Sequence, residues 1–489
     1  MRIVVIGCGL GGLSTAIRLR AAGHDVTVID KQEQPGGIAQ VYRQDGFTFD
    51  AGPPVIMAPW LIQELFDLAG KRTASYVSLV PLEPFYTIRF EDGSVFHYSG
   101  LAEALARELR RFDSADIRGA VALRATAARL FDSAFPLAGR PLTRAADAAP
   151  ALGALLRDRA YRPVAALVDA HITDARLRRV FSIHPFFVGG NAARTPGVYA
   201  ALQTLEQRWG VWYAMGGTGA LVRALAQVFA EMGGVLRFAH EAVEIIIPAS
   251  TRRATGVRLA NGEVLPAGAV VSNAEVGSTY LRLVPAAVRT VETDARILGR
   301  TYSRSLFVWC FGTDRRYTGL SHYEILMGER QGSLGADPAA QPHLADDFAL
   351  HLHRPTATDP SLAPAGCDAW YVMASVPNLS AGTDWAAAAR PFRDAIVRYL
   401  EQRYMPGLSR HIVAERCIDP RYFHAAANTH LGSAYSVEAA RGQTGWRRPH
   451  NQSPDVANLY WAGAGTHPGG GVPGVLCSGK IVAQLIGGA

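Results

Sequence analysis

The chain has 489 residues, 49% of them hydrophobic and 19% charged, with 49 Gly and 28 Pro, a globular composition long enough for more than one domain. Peptide hormones, disulfide scaffolds and disordered chains are excluded. The cysteines Cys8, Cys310, Cys367, Cys417 and Cys477 stand far apart with no CxxC pair and no Cys/His cluster, so no disulfide framework and no metal site is expected, and the setting reads as reducing and cytoplasmic. The formal charge is +7, and residues 101–180, with 14 Arg against 9 Asp and Glu, hold +5 of it. Such a basic stretch suits a surface facing anionic lipid. No run of ~18 apolar residues suggests a spanning helix, and no nucleic-acid-binding module accompanies the arginines.

In chain order, RIVVI at 2–6 is a short buried strand, GCGLGG at 7–12 a glycine turn, LSTAIRLRAAG a helix stopped by Gly23, and VTVID at 26–30 a second strand. That is a β-α-β unit. Tyr86, Ile88 and Phe90 alternate up to Asp92-Gly93, and Val257 to Leu259 run to Asn261-Gly262, so two hairpins with type I′ turns are expected. From 101 to 180 the texture is Ala, Leu and Arg, with Leu101, Leu105, Leu109 and Phe112 on one helical stripe, which predicts a helical insertion. Strand character returns after Gly233 and ends in NLYWAGAG at 458–465, followed by a helix over 475–486.

Gly7, Gly9 and Gly12 form GxGxxG where a strand meets a helix, and Asp30 closes the next strand. Gly7 permits the turn, Gly9 lets a pyrophosphate approach the backbone, Gly12 lets helix and strand pack closely, and Asp30 can accept ribose hydroxyls. The helix N-terminus turns its unpaired amides toward the phosphates. An acid at position 30 disfavours a 2′-phosphate, so NADP is the poorer ligand; NAD and FAD are not separated by this fingerprint. Gly36-Gly37 offers a second backbone approach to the pyrophosphate. At 459–480 a run rich in Gly and Pro follows an apolar strand, which suits close passage of a flat ligand.

With these segments, and with FSIHPFFVGGN at 181–191, GVWYAMGGTGALV at 210–222, VVSNAEV at 270–276, RYMPGL at 403–408, HLGSAYSVE at 430–438 and LYWAGAGTHPGGGVPGVLCSGK at 459–480, the chain resembles the bacterial-type phytoene desaturases, carotenoid and retinoid oxidoreductases of the FAD-dependent flavoprotein amine oxidase superfamily. The resemblance implies an α/β architecture: a Rossmann-type FAD-binding domain from discontinuous segments (1–95, 215–285 and 440–489) and a mixed sheet and helical substrate and membrane-contact domain (96–214 and 286–439). It implies FAD contacts at Gly7, Gly9, Gly12, Asp30, Gly36 and Gly37, at the backbone of Val243 beside the adenine, and at Gly463, Gly465, Pro473 and Gly474 around the flavin ring. It further implies a long apolar isoprenoid substrate, desaturated by hydride transfer to flavin, with oxygen or a quinone as acceptor, and peripheral attachment of a cytoplasmic protein to a membrane surface.

The alternatives are another isoprenoid oxidoreductase on the same fold, such as a hydroxycarotenoid dehydrogenase, a shorter-chain desaturase or a saturase, and an inactive FAD-retaining isoprenoid-binding protein. The departures bear on them. Where the family reads GGRA, this chain has Gly36-Gly37-Ile38-Ala39 and lacks one charged phosphate contact; Ala214-Met215 precedes GGTGAL in place of an Arg; and the region of an Arg-Asp pair reads Pro141 to Asp147. No proton-accepting residue emerges. His467 either borders the flavin or is satisfied by backbone, His184 and His430 read as structural, and Trp212, Tyr213 and Trp446 are candidates for a tunnel lining.

Overall fold

The computed structural model describes residues 1–39, 41–328 and 349–487. Its first layer grows from β1 (Arg2–Ile6), α1 (Leu10–Ala21) and β2 (Asp25–Ile29). The β1 side chains from Ile3 to Val5 are buried on both faces, which is why this strand is a continuous apolar run. It sits centrally in a five-stranded parallel sheet, in the order Leu459–Trp461, Ala269–Ser272, β1, β2, Val235–Arg237. Strands from opposite ends of the chain therefore lie two apart in one sheet.

The second layer is a seven-stranded sheet, in the order Ile412–Ile418, Ser305–Thr313, Asp368–Val376, Ala349–His353, Tyr323–Met327, Tyr86–Phe90, Val95–Tyr98. All its pairs are antiparallel except Tyr323–Met327 with Tyr86–Phe90. Alternation along the strands sorts the residues onto two faces. Phe307, Trp309, Phe311, Trp370, Val372, Leu350, Leu352 and Leu326 form a core with helix Trp385–Arg403. Leu306, Val308, Cys310, Tyr371 and Met373 occupy the opposite face, continued in register by His351, His353 and Tyr323. The hairpin Tyr86–Tyr98, which the expected boundary at 95 cuts, joins this sheet whole.

Both hairpins form as expected, but their turns differ. Gly93 and Gly262 have positive φ, whereas Asp92 and Asn261 do not, so neither loop is a type I′ turn; a single left-handed glycine closes each. Residues 101–180 are helical as read, with helices Ala102–Phe112, Asp116–Ala134, Ala149–Arg157, Val164–Asp169 and Ala175–Phe181. Leu105 and Leu109 are buried, while Leu101 precedes the first helix and is 62% exposed. The strand expected over 458–465 is confined to Leu459–Trp461, and the last helix starts earlier, at Val472. Gly463, with φ +119, ends extended pairing there.

Candidate functional site

A cavity of about 490 Å³ opens at the C-terminal ends of β1 and β2 and runs to the inner face of the seven-stranded sheet. At its first end, α1 begins after Gly9 with no side-chain cap and no acid in its first turn. Its first N–H groups have no intrahelical partners and carry the positive end of the helix dipole, and Gly7, Gly9, Leu10 and Gly11 line the cavity. Gly7 takes φ +101 and donates its N–H to Ile29 O at 2.8 Å. Gly12 lies behind: a Cβ there would sit 2.1 Å from Gly7 O, so this glycine holds helix against strand and does not line the cavity.

Asp30 is buried and lines the cavity. Its two oxygens accept the N–H groups of Cys8 at 2.7 Å and Gln32 at 2.9 Å. Burial nevertheless pushes its carboxyl above the usual range, and a hydroxyl donor from a ligand would favour its ionised form. Gly36 and Gly37 both have positive φ, and the Gly36 N–H donates to Cys8 O at 3.0 Å. The second glycine loop is thereby fastened to the first. Ile38 and Val243 also line the cavity, 38% and 41% exposed. One face of helix Val276–Leu283, with Ser278, Thr279 and Arg282, completes this end.

Asn273 is the residue sequence reasoning quoted without a role. Its side-chain atoms would lie 2.9, 2.7, 3.1 and 2.8 Å from Cβ atoms placed on Gly9, Gly11, Gly12 and Gly463, and its Nδ2 donates to Ala462 O at 3.0 Å. It ties the loops after three strands together. The one available signal was an amide directly after an apolar strand.

Further along the same end Gly463, Gly465 and Pro473 line the cavity, and Gly474 does not; a Cβ on Gly474 would meet Gly469 O at 2.4 Å. Helix Val472–Ile486 likewise starts without a side-chain cap, after Gly471. It lies alongside α1, where Ser14 Oγ donates to Leu476 O at 2.9 Å and a Cβ on Gly479 would come within 2.7 Å of Ser14 Oγ. Two helix N-termini thus face one cavity. Beyond them the lining turns apolar, with Leu306, Val308, Met373, Phe187, Tyr323 and Tyr371.

The remaining candidates lie elsewhere. His467 does not line the cavity; it meets Leu137 O through Nε2 at 3.0 Å and is pushed down to about 4 by burial. His184 is buried against Glu206 at 2.8 Å, and His430 packs on Tyr302. Trp212, Tyr213 and Trp446 do not line the cavity. Asp147 accepts the N–H groups of Thr143 and Arg144 as a local cap. Among the described residues no group of three or more His, Cys, Asp or Glu could hold a metal.

Uncapped helix ends, glycine loops without side chains and an acid after β2 fit a pyrophosphate, a flat ring and a ribose. The comparisons agree with this geometry. The family model for flavin containing amine oxidoreductases matches residues 10–487. A lycopene-forming phytoene desaturase of Pseudescherichia vulneris is 41% identical, covering 99% of both chains, and a neurosporene-forming one of Cereibacter sphaeroides is 39% identical over 99% of this chain and 94% of its own. Among solved structures, an oxidoreductase from Methanosarcina mazei aligns with TM-score 0.68 at 18% identity, covering 99% of this chain and all of that one. A cyclohexylamine oxidase from Brevibacterium oxydans aligns with TM-score 0.60 at 15% identity over 99% and 98%. This chain belongs to the flavin-containing amine oxidoreductase family.

Proposed function

We propose that the protein is an FAD-dependent phytoene desaturase of carotenoid biosynthesis. One observation carries this reading beside the full-length likeness: a single cavity joins a backbone-lined, phosphate-suited end to a hydrocarbon-lined sheet face. In this reading the α1 N-terminus with Gly7 and Gly9 holds the pyrophosphate, Asp30 the ribose hydroxyls, and Gly36 and Gly37 the other side of the phosphates. Val243 borders the adenine, and Gly463, Gly465 and Pro473 flank the ring, with Gly12 and Gly474 acting through the packing of their helices. FAD, when bound, supplies the acceptor for a hydride leaving an allylic carbon. The chain's own part is to hold an apolar substrate by burial, orient it along the sheet and exclude water. Two domains follow, 1–95, 215–285 and 440–489 for FAD and the rest for substrate, with the hairpin Tyr86–Tyr98 counted to the substrate part.

Attachment to a cytoplasmic membrane surface belongs to the same proposal, as does oxygen or a membrane quinone as electron acceptor. Leu152 and Leu156, one helical turn apart on helix Ala149–Arg157, are 52% and 58% exposed within the basic segment. Apolar tips among arginines suit insertion at headgroup level. Among the described residues no helix is long and apolar enough to cross a membrane. The decisive experiment is co-expression with a phytoene-producing pathway and an absorption spectrum of the extracted pigment. Visible bands that lengthen with conjugation are expected; colourless phytoene beside a yellow, flavin-loaded protein would move the assignment to another isoprenoid.

A further inference from the structure

Desaturation removes a hydride and a proton from neighbouring carbons, and the residues discussed so far provide no acceptor for the proton. The following rests on the desaturase reading. On the cavity face of the seven-stranded sheet, among Leu306, Val308, Cys310, Tyr371 and Met373, His351 and His353 stand in register just behind the lining residues, two imidazoles that the apolar packing does not require. The hydroxyl of Tyr323, which lines the cavity, meets Nδ1 of His351 on the neighbouring strand at 2.9 Å. Their exposures are 2% and 4%. The His351 ring lies flat on Phe186, with centroids 4.0 Å apart and planes 7° apart, and Tyr86 packs edge-on against Tyr323 at 5.3 Å. Neither side chain has room to swing. Tyr371, the next tyrosine on this face, instead directs its hydroxyl to Met373 Sδ at 3.6 Å.

Tyr323 lines the same cavity as Gly465 and Pro473. Its ring packs against Tyr86, which stacks on Phe187, and the Phe187 carbonyl would lie 3.3 Å from a Cβ on Gly471 at the start of helix Val472–Ile486. Burial keeps His351 neutral, its ring pushed down to about 3. Such an imidazole is a weak base toward water. It suffices for a C–H beside a carbon that has lost a hydride, because that proton is far more acidic than an imidazolium.

We infer that Tyr323 is the catalytic residue that receives the proton, and that His351 positions its hydroxyl and takes over the phenolic proton. With the His351 ring proton on Nε2, the balance is complete. The C–H bond of the carbon next to the hydride donor breaks and its electron pair becomes the new C=C. The proton forms an O–H bond at Tyr323 Oη, the tyrosine's own proton moves to His351 Nδ1, and the imidazolium returns it to water between turnovers. The hydride's electron pair leaves with the FAD of the proposed reading, and tyrosine stays neutral throughout.

The test uses full-length, FAD-loaded protein with phytoene in liposomes, comparing wild type with Tyr323→Phe and His351→Gln, and with substrate deuterated at either reacting carbon. Both variants are expected to keep their bound flavin absorbance and to turn over about a hundredfold more slowly. In both, the isotope effect at the proton-losing carbon should grow while that at the hydride-losing carbon shrinks. A packing fault alone would slow turnover without exchanging the two isotope effects. Turnover within twofold of wild type, or slow turnover with unchanged isotope effects, overturns the relay. Wild-type protein that forms no conjugated product overturns the desaturase reading itself, which separates the two failures. Should Tyr323→Phe lose its flavin, His351→Gln carries the same measurement.

Discussion

The two ends of the cavity are built on opposite plans. At the nucleotide end the working surface is backbone: Gly7, Gly9, Gly36, Gly37, Gly463 and Gly465 line it, and what matters is what their missing side chains leave open. At the sheet end the surface is side chain, drawn from strands that are far apart in the sequence. The first end tolerates almost no added atom, and the second is defined by its added atoms. Substitutions should therefore separate them cleanly, with cofactor retention failing at one end and substrate handling at the other.

The largest effect is expected from Gly12→Val. Its Cβ would stand 2.1 Å from Gly7 O, so α1 must move off β1, and FAD retention measured by flavin absorbance should fall by on the order of tenfold or more. Normal loading would show that the packing of α1 does not govern the phosphate end. Next, Val308→Trp puts bulk into the apolar end, where Val308 is 2% exposed and lines the cavity. Flavin absorbance should persist while pigment in co-expressing cells drops about tenfold or more; loss of both together would break the comparison.

Acid should act on the buried histidines. His351 and His353 on the seven-stranded sheet, and His467 away from it, are pushed below the ordinary histidine range by burial. The unfolded chain therefore takes up protons that the folded one refuses, and stability falls as pH drops below about 6.5. For His351 and His467, pushed down to about 3 and about 4, the loss is about 2 kcal/mol each at pH 5 relative to pH 7. Asp50 acts in the opposite sense, being pushed up to about 6 by burial, and returns only about 1 kcal/mol over that range. The buried histidines, His322 among them, outweigh the carboxyls that burial raises, Asp30, Asp50 and Glu438, so thermal melts should move down from pH 7 to pH 5; an unchanged melting temperature would refute the assignment of neutral buried rings. The smallest effect is a gain. Ile38→Arg supplies a charged donor at the phosphate end, and FAD should bind a few-fold tighter, by about 1 kcal/mol. Unchanged affinity in a flavin titration would mean that Lys31 and Arg282, which line the same end, already serve the phosphates.

This contrast also explains what the sequence could tell. A tight turn, a close approach and a helix start each restrict which residue can stand there, so Gly7, Gly9, Asp30 and the 463–474 run could be read in one dimension. Gly12 serves packing, as its place in the fingerprint says; Gly474 shares the glycine run and also serves packing, a role visible only once Gly469 O is in place. The sheet end was illegible because Ser305–Thr313 and Asp368–Val376 are buried on both faces. A strand apolar throughout does not announce which alternate residues look into a cavity and which onto helix Trp385–Arg403. His351 was silent for the same reason: its partner, Tyr323, is brought beside it only by strand pairing. Asn273 acts on glycines from both ends of the chain, a role that no local pattern records.

The parallel sheet places β1 two strands from Leu459–Trp461, and α1 beside helix Val472–Ile486. A ribosome making this chain therefore releases α1 long before the element that completes its neighbourhood. Until residues 459–486 emerge, α1 has helices Pro59–Leu68 and Thr218–Glu231 to pack on, but its flank toward helix Val472–Ile486 is bare and Asn273 cannot reach Ala462. Cofactor loading becomes a late event in biogenesis, and the interval before it is a window in which a nascent chain rich in apolar strands depends on being shielded from its neighbours.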